Sequence, residues 1–325
     1  MFTQTERGKK AEEYLIRYPK LPTMTLARLL YSENDGMYKD VMHARDILRD
    51  YRGEKNKKRD FGSRGGKQGQ YALVFDSIAD SCEKYVLPKS ANNILVINDL
   101  HIPYHSVEAV TAALEWGKEH NVNCIVLNGD IVDFYQISRF IRSPQNASVK
   151  NELNVLEDFL LNLRDMFPNA KIVYKEGNHE KRLDNFMRTH AAELYDVVDY
   201  KLPDLLNFVS LKIDYVDNER IIMAGNVNII HGHEVPGNRQ ANVSRQIFQR
   251  TNENTIVGHS HIADKHVTTT VNDSIRGCWA VPCLCDLHPE YARINRWTHG
   301  FLRLHIVGED KFKVFQGEIH NGQVL

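Results

Sequence analysis

The chain has 325 residues, 42% of them hydrophobic, enough to bury one large domain plus a small appendage, so a scaffold dependent on disulfides is excluded. Its formal net charge of −1 averages over unlike parts: Arg45 to Lys67 carries nine Lys or Arg against four Asp or Glu, which leaves −6 on the rest. An acidic partner is therefore predicted near the N-terminal third rather than for the whole chain.

Met1 to Arg7 hold no apolar signal core, and Phe2 stands where myristoylation needs a glycine. No apolar run approaches the roughly 18 residues that a membrane span needs. The five cysteines, Cys82, Cys124, Cys278, Cys283 and Cys285, are odd in number and lack paired metal-finger spacing. These features predict a cytoplasmic protein with no membrane role.

Residues from about Thr25 to Asn34 and from about Met37 to Tyr51 read as two helices, separated by a turn at Ser32 to Gly36 and closed by Gly53. In the second, Val41, Ala44, Leu48 and Tyr51 share one face, while Arg45, Arg49 and Arg52 share another. Such a pair fits a helix-turn-helix-like DNA-binding module, and it also fits a dimerisation hairpin with a solvated face. From Arg52 to Gln70 the chain is basic, glycine-bearing and nearly free of apolar residues, as a flexible linker would be. Its Gly65-Gly66-Lys67 is no nucleotide-binding loop, because Gln68 replaces the required Ser or Thr and Phe61 stands where a glycine is needed. The predicted organisation is a helical module over 1–53, a basic linker over 54–80 and an α/β domain over 81–325.

In the α/β part, Ile94 to Ile97, Cys124 to Leu127, Ile172 to Tyr174, Val227 to Ile230 and Thr255 to Val257 read as strands. Ser106 to His120 and about Lys150 to Phe167 carry apolar stripes at helical spacing, so sheets covered by helices are predicted. Phe301 to Ile306 and Lys311 to Phe315 alternate as strands and are expected to complete the second sheet. Cys283-Leu284-Cys285 with His288 has the wrong spacing for a tetrahedral zinc pair, and the two cysteines read as buried strand residues.

Each of the five central strands is followed at once by acid, amide or imidazole groups. These are Asp99-Leu100-His101, Gly129-Asp130-Ile131-Val132-Asp133, Gly177-Asn178-His179-Glu180, His231-Gly232-His233 and Gly258-His259-Ser260-His261. Ligands of α/β folds sit beyond the carboxyl ends of strands, so the five clusters should converge on one site. Asp99 with His101, and His259 with His261, are two apart, which in an extended strand end points both side chains the same way. Carboxylate, imidazole and carboxamide without a thiolate suit Mn²⁺, Fe or Zn²⁺ rather than a soft metal.

In their order and separation these five signatures resemble those of the calcineurin-like metallophosphoesterase superfamily, and the Gly-Asn-His-Glu-x-Arg variant, here ending at Arg182, resembles that of bacterial and phage phosphoesterases and of serine/threonine phosphatases. The resemblance covers roughly residues 91 to 310. It implies a four-layer αββα sandwich of two mixed sheets, to which this chain adds its N-terminal helical module. It further implies hydrolysis of a phosphate ester with two divalent metal ions, Mn²⁺ foremost, with Fe, Zn²⁺ or Mg²⁺ as alternatives. Carried over residue by residue, Asp99, His101, Asp130 and His261 would hold one metal and Asn178, His231 and His259 the other, with Asp130 bridging. His231 is taken as the ligand of His-Gly-His, and His233 is the alternative. His179 would be the proton donor, oriented by Asp133. Arg139, Arg142, Arg182, Arg239 and Arg245 follow the metal motifs and include candidates for a phosphate clamp, Arg182, Arg139 and Arg239 first among them. The basic module and linker make nucleic acid the favoured partner. A phosphomonoesterase or small-nucleotide phosphodiesterase, and a non-catalytic binding scaffold, are the competing readings, and the oligomeric state is open.

Overall fold

The structure, a computed structural model, describes residues 4–19, 21–34, 36–51, 83–139, 147–195, 197–217, 219–236, 241–308 and 311–325. The linker at 54–80, Arg52, Cys82, Arg142 and Arg239 lie outside them. The chain divides into two units, Met1–Ile78 and Ala79–Leu325.

In the first unit the helices are α1 (Gln4–Arg17), α2 (Thr23–Glu33) and α3 (Val41–Tyr51). The sequence reading finds α2 and α3 but misses α1, where Ala11 and Tyr14 are the buried hydrophobic residues of a charged segment. Met37 to Asp40, expected to open α3, form a turn instead, because Asp40 Oδ1 accepts the His43 N–H at 2.7 Å and so starts the helix after itself. Ala44 and Leu48 face a core with Leu26, Ala27 and Leu30, as their spacing requires, while Tyr51 at the helix end is 48% exposed. Arg45 of the predicted basic face is half-buried and lies 3.0 Å from Asp46.

The second unit opens with β1 (Tyr85–Val86), β2 (Asn93–Ile97), α4 (Val107–Glu119), β3 (Cys124–Asn128), α5 (Val149–Met166), β4 (Lys171–Lys175) and α6 (Lys181–His190). It continues through α7 (Leu202–Leu205), α8 (Phe208–Leu211), β5 (Ile213–Val216), β6 (Ile222–Ala224), β7 (Val227–Ile230), α9 (Val243–Thr251) and β8 (Thr255–Val257). It closes with β9 (Asp264–Thr269), β10 (Ile275–Ala280), β11 (His299–Ile306), β12 (Phe312–His320) and β13 (Gln323–Val324).

Two mixed sheets result, ordered β13-β12-β11-β2-β3-β4-β5 and β1-β6-β7-β8-β10-β9. β11 and β12 extend the sheet of β2, β3 and β4, with β11 antiparallel to β2 and Leu302 opposite Val96. Their alternating pattern specifies a strand face but not a neighbour, so only the structure names the strand they join. Successive residues of β2 and β3 point to opposite faces. Leu95, Ile97, Ile125 and Leu127 meet α4 and α5, whereas Ile94, Val96, Cys124 and Val126 meet Ile229, Ile256 and Trp279 of the other sheet. Both faces are covered, so these strands are continuously apolar rather than alternating. On the far side, Val243 and Ile247 of α9 pack on Ile230, Val257 and Ala280. The layers are thus helix, sheet, sheet, helix. Among the described residues no helix is long and apolar enough to cross a membrane.

One carboxylate breaks the apolar rule inside the first helical layer. Glu152 of α5 is fully buried, with Oε1 accepting the Tyr135 N–H at 3.1 Å and Oε2 without a hydrogen-bond partner among the described residues. Burial, then repulsion from Asp133, pushes its pKa up to about 8 from 4.5. The folded state therefore favours the proton that the unfolded chain loses, and stability contributed below pH 4.5 is lost as pH rises towards 8. Glu152→Gln keeps the shape without the charge, so its urea midpoint should exceed that of the unsubstituted chain at pH 8 and match it below pH 4.5. Equal midpoints at pH 8 would show that Glu152 is not held neutral.

Candidate metal centre

The five polar clusters leave β2, β3 and β4 of one sheet and β7 and β8 of the other, and their side chains meet. The pairs Asp99/His101 and His259/His261 do not lie in extended backbone, as their spacing suggested. Their φ angles are +52°, +50°, +65° and +61°, and Asp130 is at +52°. Left-handed backbone costs a residue with a Cβ about 1–2 kcal/mol, and five instances in one place mark a site whose side chains are aimed by strained turns. Hydrogen bonds hold those turns: Asp99 N–H to Gly129 O at 3.1 Å, and His101 N–H to Asp130 O at 3.0 Å.

Each carboxylate has one oxygen committed and one turned to the cluster. Asp99 Oδ2 accepts the Asn98 amide and, at 2.8 Å, the His259 N–H. Asp99 Oδ1 is buried with no hydrogen-bond partner among the described residues, and lies 3.2 Å from His261 Nε2, 3.9 Å from His101 Nε2 and 4.0 Å from His231 Nε2. Asp130 Oδ1 accepts the His179 N–H at 2.8 Å, leaving Oδ2 at 3.3 Å from His231 Nε2 and 3.7 Å from His179 Nε2. A buried oxygen faced by several imidazole nitrogens is a donor arrangement for a cation.

The imidazoles are held from behind. His231 Nδ1 is 2.8 Å from Asn128 O and His101 Nδ1 is 2.9 Å from Asp133 Oδ1, so in each ring Nδ1–H donates and Nε2 faces the cluster. His231 Nε2 is 3.2 Å from Asn178 Oδ1, and Asp130, His231 and His259 group within 4.8 Å. His101 Nε2 lies 3.3 Å from His261 Nε2. Two donor groups therefore emerge, Asp99, His101 and His261 on one side and Asn178, His231 and His259 on the other, with Asp130 reaching into the second. Burial alone would lower the His231 and His261 pKa values; Asp130 and Asp99 overcome it and push each up to about 10. Burial opposes ionisation of Asp99, but His261 and then His231 hold it down at about 2. Positive charge is what these carboxylates select, whether a proton or a metal ion.

His179 also comes within 4.8 Å of His101 and Asp130. Its surroundings separate it from the rest. Nδ1 is 3.0 Å from Asp133 Oδ1 and 2.9 Å from Asp133 O, and Nε2 is 2.9 Å from the Arg182 guanidinium, a cation that no metal ligand would accept on its lone pair. Asp133 thus stands behind His179 and, in a role the sequence reading missed, behind His101. His233 differs from His231: both its ring nitrogens lack hydrogen-bond partners among the described residues, and burial lowers its pKa to about 4. Of the candidate arginines, Arg182 reaches the cluster, while Arg139 and Arg245 are exposed. Cys283 and Cys285 are buried and free but lie at isolated bridges rather than in strands, and Cys285 Sγ is 3.8 Å from His261 Nδ1 and groups within 4.8 Å with His101 and His261.

Two further residues had no assigned role. Glu180 accepts the N–H groups of Asp130, Ile131, Val132 and Gly177 and the Tyr174 hydroxyl, at 2.8–3.3 Å, and so ties the loop after β3 to the loop after β4. Glu234 accepts the N–H groups of His231 and Gly232 and pairs at 3.0 Å with Lys175, whose side chain is fully buried. A Glu directly behind His179 and another behind His233 were visible in the sequence, but their contacts were not.

A family model described as calcineurin-like phosphoesterase matches residues 93–302, which include every candidate ligand. The chain belongs to the calcineurin-like phosphoesterase family. Family members act on phosphate esters and typically hold a dinuclear metal site. The Gene 54 proteins of Mycobacterium phages D29 and L5 are each 24% identical over 179 residues, covering 53% of this chain and 69% of theirs. Solved structures similar to this chain include Yfce, a phosphoesterase from E. coli, at 14% identity and TM-score 0.33, covering 69% of this chain and 98% of that one. A dimetal phosphatase from Danio rerio has 11% identity and TM-score 0.33, covering 70% and 96%. Vacuolar Protein Sorting 29 from Cryptosporidium parvum has 15% identity and TM-score 0.40, covering 72% and 94%.

The glycine of Gly-Asn-His-Glu has a steric reason. A Cβ on Gly177 would stand 2.3 Å from Asp130 Oδ1 and 2.4 Å from Asp130 N. Gly177→Ala should therefore displace Asp130 and lower affinity for Mn²⁺ about tenfold or more, with the circular dichroism spectrum retained. Unchanged affinity in a metal titration would show that the close packing of the two loops does not set the geometry of the donors.

Proposed function

We propose that this chain is a phosphodiesterase acting on nucleic acid with two divalent metal ions, Mn²⁺ foremost. The observation that supports it most is the pair of buried carboxylates, Asp99 and Asp130, each presenting one oxygen to imidazole nitrogens that are themselves fixed from behind. In this reading Asp99, His101, Asp130 and His261 hold one ion, and Asp130, Asn178, His231 and His259 hold the other. When bound, the two ions would supply Lewis acidity towards the phosphoryl oxygens and lower the pKa of water. His179 delivers a proton from Nε2 to the leaving oxygen, with Asp133 fixing its other nitrogen. Arg182, 2.9 Å from that Nε2, would turn its guanidinium to a phosphate oxygen when substrate enters, so that the freed Nε2 takes up from solvent the proton it passes to the leaving oxygen. The buried free cysteines accord with a cytoplasmic setting.

The basic stretch from Arg45 to Lys67 supports a polyanionic substrate. One observation favours the monoester or small-nucleotide alternative: Arg45, at the start of that stretch, is half-buried beside Asp46 rather than open. A non-catalytic scaffold has no physical use for the intact Asp133–His179–Arg182 arrangement. A panel of single-stranded DNA, duplex DNA, RNA, a nitrophenyl diester and a nitrophenyl monoester with Mn²⁺ decides among the three. Cleavage of the diester and a polymer, abolished by chelator, is the expected result, and hydrolysis of the monoester alone would sink the nuclease reading.

His179→Ala should leave metal content near that of the unsubstituted chain and lower kcat by about 10²–10⁴-fold, with partial rescue by a leaving group that needs no proton. Asp130→Ala should instead empty both sites by elemental analysis. Equal metal loss in the two variants would show that ligand and acid are misassigned. In the basic stretch, replacing Lys55, Lys57, Lys58 and Arg59 by Gln should flatten the slope of log affinity against log salt by about 0.7–0.9 for each phosphate contact removed. An unchanged slope with altered mass in light scattering would make that stretch a subunit contact.

A further inference from the structure

The segment after the last cysteines, residues 286–298, borders the donor cluster without supplying a donor to it. Trp297 packs on the His261 ring at 4.1 Å between centroids and 60° between planes. Tyr291 lies 6.3 Å from Trp297, so a line of three rings runs outward from the candidate ligand. Trp297 is held inside, with its Nε1 buried, while Tyr291 is 74% exposed. A single exposed tyrosine in a loop needs no explanation. This one is the outer end of an aromatic chain anchored on the donor cluster, in a stretch where Arg293 and Arg296 lie between Tyr291 and Trp297. Aromatic faces interleaved with basic side chains are the pattern that takes up unpaired bases and their phosphates.

We propose that Tyr291, backed by Trp297, is the stacking subsite for the nucleobase carried next to the scissile phosphate. The proposal rests on the nucleic-acid reading of the site and narrows it to bases free of a duplex, since a paired base has no open face to offer. A single-stranded polymer and a free nucleotide share that chemistry. Tyr291 provides the π-face, Trp297 fixes the distance of that face from His261, and the hydroxyl of Tyr291 plays no part.

The test compares kcat/KM of the full-length, Mn²⁺-loaded chain on two matched pairs. One pair is a thymidine nitrophenyl phosphodiester and its abasic deoxyribose analogue; the other is single-stranded oligothymidylate and the same oligomer with abasic residues. The base-bearing member should be preferred, and Tyr291→Ala should shrink that preference about 5- to 100-fold, the usual worth of one stacked base. Tyr291→Phe keeps the ring and should keep the preference. Loss on the small pair only identifies a nucleotide substrate, and loss on both identifies a polymer; each supports the subsite. A preference unmoved by Tyr291→Ala, or lost as fully in Tyr291→Phe, overturns it. If the chain cleaves neither diester, the nuclease reading has failed separately, and calorimetry then reads the subsite directly. Thymidine monophosphate should bind more tightly than deoxyribose phosphate, with the difference removed by Tyr291→Ala. No difference in the unsubstituted chain would overturn the proposal.

Discussion

Two carboxylates buried where water cannot solvate them govern the architecture around the site. Asp99 and Asp130 are essentially inaccessible, and an isolated ionised carboxyl group in such surroundings is costly unless paired. The chain answers with half a solution. One oxygen of each accepts a backbone N–H from another motif, His259 for Asp99 and His179 for Asp130, and the other is left to imidazole nitrogens. A backbone N–H neutralises no charge, so the remainder must come from protons on His231 and His261 or from metal ions that displace them. The same bonds lock distant loops together, since Asp99 and His259 are 160 residues apart.

Around this centre a second set of buried acids performs structural work. Glu180 gathers four backbone N–H groups from two loops, although burial and the nearby Asp130 carboxylate push its pKa up. Those donors and the Tyr174 hydroxyl oppose that shift and favour the acceptor form. Glu234 does the same for the His231 turn and is itself held at about pKa 2, burial being outweighed by Lys175 and His231. Lys175 ends β4 in the first sheet, while Glu234 follows β7 in the second, so their ion pair spans the two sheets beside the candidate ligands. Removing one partner would leave an uncompensated charge, which is why such pairs fix geometry more than they add stability.

Much of this was legible in the residues. The five strands that precede the polar motifs appear within a residue or so of their predicted bounds, because a strand covered on both faces must be a short, unbroken apolar run. Convergence of the motifs was legible too, since each follows a strand at the end where α/β folds gather ligands. His231, taken over His233 on resemblance alone, has its Nε2 3.2 Å from Asn178 Oδ1 and 3.3 Å from Asp130 Oδ2, whereas both ring nitrogens of His233 lack hydrogen-bond partners among the described residues. Helix α1 was missed because its charged composition hides a stripe of only a few apolar residues.

The sequence by itself determined the family and the layered α/β architecture of the large unit, and it supplied the candidate donors, since these follow from residue type, order and the period of burial. Tertiary structure alone decided how those donors point. The pairs Asp99/His101 and His259/His261 sit in left-handed turns, and no spacing rule distinguishes such a turn from an extended strand end, because the strain is stabilised by hydrogen bonds from elsewhere in the chain. It also decided which sheet β11 and β12 join, that Asp133 holds two histidines, and that Tyr291 and Trp297 extend outward from His261. Each of these depends on contacts between residues far apart in the chain, and pairing across a fold leaves no local period for the sequence to carry.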